Sequence, residues 1–122
     1  MKTPMKKLLV ALFCCLAAVS AARAHAFLDH AEPRVGSTVK ASPTEVKIWF
    51  TERLILPFSD VKVTDAAGKE VQKGDKHLDP SNGELLILSM PALKPGKYTV
   101  AWRVTAVDTH VTKGTFSFEV SP

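Results

Sequence analysis

Apolar and polar residues alternate with period two along most of the chain beyond residue 25. In the clearest run Val46, Ile48 and Phe50 alternate with Lys47, Trp49 and Thr51, the mark of a strand with one buried face. Pro43 ahead of this run and Pro57 behind it fit strand ends, where a missing N–H costs least. The longest run sets Tyr98, Val100, Trp102, Val104 and Ala106 on one face, against Thr99, Ala101, Arg103 and Thr105 on the other. A final strand carries Phe116, Phe118 and Val120 inward, with Gly114 easing its start. Shorter strands are expected at Ala26 to Ala31 and at Val61 and Val63. Lys69 to Gln72 is a candidate hairpin partner, and Gly74 to Gly83 reads as a polar loop. Leu85 to Met90 is apolar on both faces, which predicts a central strand.

Turn residues break these runs at intervals of roughly 8–12 positions, the spacing of an all-β sandwich. The expected fold is an immunoglobulin-like or Greek-key β-sandwich, cupredoxin-like, of about seven strands. No segment beyond the first two dozen residues holds a helical period, and no repeat or linker divides the chain.

Residues 1–24 differ from the rest. Lys2, Lys6 and Lys7 precede an apolar run from Leu8 to Val19, and Ala22-Arg23-Ala24 closes it with a small-x-small pattern. This is the layout of a secretion signal cleaved after Ala24. The run falls well short of the roughly 20 residues a membrane-spanning helix needs. Lipid attachment at Cys14 or Cys15 is rejected, because bulky Phe13 stands where small residues are required. The expected division is therefore 1–24, a cleaved signal, and 25–122, one secreted β domain.

Cleavage changes the composition. Of 16 basic residues, Lys2, Lys6, Lys7 and Arg23 leave with the signal, while all 12 acids stay, so the formal charge of +4 falls to zero. That balance argues against nucleic-acid and anionic-membrane partners. Both cysteines leave as well, which excludes thiolate metal sites and cysteine catalysis and leaves the hydrophobic core to hold the domain.

Cleavage also makes His25 the first residue. A terminal amine and the Nδ1 of the same residue close a six-membered ring on a metal, and planar nitrogen chelation favours Cu(II). Asp108 and His110 stand two apart at the end of the longest strand, and in extended chain such side chains share a face and converge on one ion. Taken singly these signals are weak. Any residue can follow a cleavage site, and Asp-x-His is equally a polar turn in which Asp108 bonds nearby backbone N–H groups.

The chain resembles the CopC-type periplasmic copper-binding proteins. The resemblance lies in His25-Ala26-Phe27-Leu28 with Pro33 and Gly36, and in Phe50-Thr51-Glu52-Arg53-Leu54. It is most specific in Gly96-Lys97-Tyr98-Thr99-Val100-Ala101-Trp102-Arg103-Val104, followed by Asp108-Thr109-His110 and Gly114-Thr115-Phe116-Ser117-Phe118. It implies one Cu(II) per mature chain, held by the amine and imidazole of His25 with Asp108 and His110, and Glu52 close by as an outer ligand or acceptor. It further implies a monomer that buffers copper or delivers it to a CopD-type inner-membrane copper protein, serving homeostasis or resistance.

One departure matters. Methionine-rich members hold Cu(I) between their two halves, but Val63 to Leu78 contains no methionine, and Met90, the one methionine beyond residue 24, reads as core. Soft thioether ligation lacks its ligands, so a Cu(II)-only protein is expected. His30 and His77 read as surface residues, and Trp49 and Trp102 as packing residues. A pairing of Arg103 with a carboxylate such as Glu52 is a guess. Two other classes compete: a copper monooxygenase using an N-terminal histidine, and an immunoglobulin-like assembly module without metal.

Overall fold

A computed structural model describes residues 26–122. The alternating runs become strands because each can bury one face. They are β1 (Leu28–Glu32), β2 (Thr38–Val39), β3 (Glu45–Phe50), β4 (Asp60–Thr64), β5 (His77–Asp79), β6 (Asn82–Ser89), β7 (Gly96–Thr105) and β8 (Val111–Val120), with one 3-10 turn at Leu56–Phe58. They form two four-stranded sheets, ordered β1-β3-β6-β5 and β2-β8-β7-β4. All pairings are antiparallel except β2 with β8. The fold is a β-sandwich, as the periodicity predicts.

The core lies between the sheets. Val46, Ile48 and Phe50 of β3 face Tyr98, Val100, Trp102 and Val104 of β7 and Phe116, Phe118 and Val120 of β8, all buried. Each such side chain contributes roughly 1.5–3 kcal/mol when withdrawn from water, in a domain with no disulfide among the described residues. Phe50 meets Trp102 edge-on with ring centroids 5.2 Å apart. The buried Tyr98 satisfies its hydroxyl by donating to the Lys94 carbonyl at 2.6 Å, as a buried phenol requires. Met90 is buried in this core, 4 % exposed, as expected.

β6 lies between β3 and β5, and Leu85 to Leu88 are all buried, so the two-faced apolar run is a central strand. Three expectations need correction. The polar stretch from Gly74 to Gly83 contains the edge strand β5, which pairs with β6 through His77–Ile87 and Leu78–Leu86. Its outer side chains face water, so its sequence looks like a loop. Gly114 lies inside β8 opposite Trp102, and a Cβ there would stand 2.5 Å from the indole Cζ2. Room for Trp102, not a flexible strand start, requires this glycine. Finally, Arg103 lies in register with Asp60, and among the described residues it forms no ion pair with Glu52.

Candidate metal centre

The end of β7 leads into the site. Ala106 bridges to Leu54, its N–H donates to the His110 carbonyl at 3.0 Å, and the Thr109 N–H donates to the Ala106 carbonyl at 2.8 Å. Residues 106–110 thus form a closed turn, with Thr109 at φ +72°. A β-branched residue in the left-handed region is uncommon and costs on the order of 1–3 kcal/mol.

The turn brings Asp108 and His110 together. Asp108 Oδ1 accepts the His110 N–H at 3.0 Å, and Oδ2 stands 3.2 Å from His110 Nδ1. The side chains are 39 % and 55 % exposed, respectively, so both open to solvent. The pairing expected from extended geometry is present, but its cause is different: the left-handed Thr109 reverses the chain, and the same-face rule for strands does not apply. The polar-turn reading of Asp108 and its reading as a partner of His110 hold together, one oxygen serving each.

The neighbouring segments are tied to this end. The Ile55 N–H donates to the Thr105 carbonyl at 2.8 Å, and the Val107 N–H to the Arg53 carbonyl at 2.9 Å. The buried Ser59 hydroxyl donates to the Ile55 carbonyl at 2.9 Å and accepts the Thr105 N–H at 3.1 Å. Glu52, half-buried, therefore lies between two residues bonded elsewhere in the site. On one side the Thr51 N–H donates to the Phe27 carbonyl at 2.9 Å, and on the other Arg53 holds Val107. Thr51 Oγ1 accepts the Phe27 N–H at 2.9 Å as well.

The first described residue enters here. Ala26 is fully buried, and its carbonyl accepts the Thr112 hydroxyl at 2.6 Å, two positions past His110. His25 lies outside the described residues. Among the described residues no three His, Cys, Asp or Glu side chains gather as a metal cluster.

The other histidines are occupied elsewhere. His30 stacks on Trp49 with centroids 4.3 Å apart and an interplanar angle of 12°, and its Nδ1 lies 2.6 Å from Asp29 Oδ2. His77 is exposed, with Nδ1 2.9 Å from the Asp75 carbonyl. Thr112, which anchors the chain start, lies on the inward face of β8 opposite buried Val104, and a threonine at a strand end gives no sequence sign that its hydroxyl meets a distant carbonyl.

A two-sheet sandwich with an Asp–His pair on an end turn, beside a clamped chain start, defines an all-β module with a candidate metal-binding end. Residues 28–121 match the CopC domain, and the chain belongs to the CopC family. It is 35% identical to Protein YobA of Escherichia coli (strain K12) over 98 residues, covering 80% of this chain and 79% of that one. The crystal structure of CopC from Methylosinus trichosporium OB3b matches with a TM-score of 0.72 and 34% identity, covering 80% of this chain and 95% of that one. PcoC, a methionine-rich copper resistance protein from Escherichia coli, matches with a TM-score of 0.71 and 28% identity, covering 80% of this chain and all of that one. No helix among the described residues is long and apolar enough to cross a membrane.

Proposed function

We propose that this chain is a periplasmic Cu(II)-binding protein that buffers copper or hands it to an inner-membrane copper protein of the CopD type. One Cu(II) per chain is the cargo. Its ligands are the α-amine and imidazole of His25, freed by cleavage after Ala24, together with Asp108 and His110. Three nitrogens and one carboxylate oxygen make a tetragonal set suited to Cu(II).

The observation that carries this reading is the anchoring of Ala26. Adjacent Cα atoms are about 3.8 Å apart, so residue 25 starts within one peptide unit of a buried residue bonded to Thr112. The Asp108–His110 turn ends two residues before that same threonine. The Phe27–Thr51 pair fixes the direction of entry. In this reading Glu52, half-buried between Thr51 and Arg53, is an outer ligand or hydrogen-bond acceptor beside the plane. Met90 is buried in the core, which supports a Cu(II)-only site without thioether ligands.

Ligand capture requires the amine to shed its proton, so affinity rises with pH. With four protein donors in the plane, little room is left for an oxygen substrate, which favours a binding monomer over a monooxygenase. EPR-monitored titration of the chain beginning at His25 tests this. The expected result is one nitrogen-rich tetragonal signal that saturates at one Cu(II) per chain. The loaded protein should also consume no more oxygen with ascorbate than buffer does. A weak oxygen-ligated signal would overturn the site, and sustained ascorbate-driven oxygen uptake would favour the enzyme.

A further inference from the structure

The formal neutrality of residues 25–122 hides an uneven surface. The large hydrophobics Phe58, Val107 and Val111 are 66 %, 56 % and 47 % exposed. All three lie at one end of the sandwich. Val107 and Val111 flank the 108–110 turn, and Phe58 belongs to the 3-10 turn whose carbonyl accepts the Thr105 hydroxyl at 3.0 Å. Thr105 and Val111 are directly paired across β7 and β8, so Phe58 and Val111 border one shallow depression.

Cations stand behind these tips. Arg103 and Lys113 are exposed and opposite each other in register, on the outer face because Trp102 and Val104 point inward. Lys62 is exposed on neighbouring β4, and Lys76 lines the same depression with its Nζ bonded to the Ser59 carbonyl. The acids nearby are Asp60, in register with Arg103, and Asp108 at the tip. Four cations face these two acids, with Glu52 beside the 108–110 turn as a third carboxylate.

We propose that this end is a docking surface for an anionic phospholipid bilayer. Exposed apolar side chains at the tip of a rigid sandwich enter the headgroup region, while lysine and arginine stems lie along it with their charges at the phosphates. A bilayer asks for no shape complementarity, and the shallow depression at this end offers little. Each cation near an anionic surface adds attraction that decays within a Debye length. The sequence-level balance of charge argues against such a partner, but the distribution over the surface favours it at this one face. Docked this way, the 108–110 turn lies at the membrane surface. The inference does not rest on copper, because every residue it uses is present in the metal-free chain.

Cosedimentation of the chain beginning at His25, which contains the whole described sandwich, with phospholipid vesicles tests the inference. The expected result is binding to vesicles containing phosphatidylglycerol, at least about tenfold tighter than to phosphatidylcholine alone and weakened by salt. Reversing Arg103→Glu with Lys113→Glu should abolish the difference. Phe58→Ser, outside the core, should weaken binding severalfold without lowering Tm. Lys97→Glu, opposite Glu119 at the far end of the sheet, should leave binding unchanged. Equal sedimentation with both lipids, none with either, or an equal loss on Lys97→Glu would overturn the proposal and leave the face to a protein partner.

Discussion

The hydroxyl of Thr112 donates to the carbonyl of Ala26 at 2.6 Å, across 86 positions of sequence. This bond ties the start of the described chain to the strand that leaves the Asp108–His110 turn. The carbonyl belongs to a fully buried residue. Leaving it without a donor costs about 1–3 kcal/mol.

Thr112→Val removes that donor and keeps the shape. It should lower Tm by several degrees, at about 4–8 °C per kcal/mol for a domain of this size. It should also weaken Cu(II) binding by about tenfold, one decade per ~1.4 kcal/mol, while Thr112→Ser keeps both. Thermal melts and competitive Cu(II) titration of the two variants measure this. Unchanged affinity in Thr112→Val would separate the anchor from the site.

Much of the fold is legible in the alternation. Val46, Ile48, Phe50 and the run from Tyr98 to Ala106 are buried as the period requires, because a strand's period of two leaves no choice of inward face. The edge strand β5 is not legible, since three residues with water on one side carry no apolar signature. Asp108 and His110 are recognisable as a pair, but the geometry that joins them is not. It depends on the positive φ of Thr109, which threonine does not advertise as glycine or asparagine would. The role of Thr112 is invisible for another reason: its partner is a backbone carbonyl far away in sequence.

Thr109 offers a direct check on that turn. Thr109→Asn suits the left-handed region better. It should raise Tm by several degrees, given a strain of on the order of 1 kcal/mol, and leave Cu(II) affinity within about twofold. A lower Tm would show that the threonine is held by contacts that outweigh its strain.

Gly114→Ala sets a methyl group against the Trp102 ring, where the Cβ would stand 2.5 Å from Cζ2 and 2.9 Å from Cε2. Overpacking of this kind costs about 1–3 kcal/mol. A lower Tm should accompany a changed near-UV circular dichroism signal from the displaced indole, with β-sheet content retained in the far-UV. Wild-type stability in this variant would contradict the packing described for Trp102.

Removal of single proposed ligands distinguishes the site from its surroundings. Asp108→Ala and His110→Ala should each weaken Cu(II) binding by about a hundredfold or more, the loss of a ligand from a four-donor plane. His77→Ala, at an exposed β5 position whose ring Nδ1 meets the Asp75 carbonyl, should change nothing measurable. Glu52→Gln should have a small effect, under about tenfold. Isothermal competition against a chelator of known affinity orders the four variants.

In the proposed site, cleavage after Ala24 creates the first ligand. The most direct measurement is competitive Cu(II) titration of two chains, one beginning at His25 and one with a single alanine added before it. The added residue moves the amine away and leaves Asp108, His110 and the sandwich intact. The expected result is a loss of about a hundredfold or more in affinity, with Tm of the metal-free protein unchanged. Equal affinity in the two chains would contradict the claim.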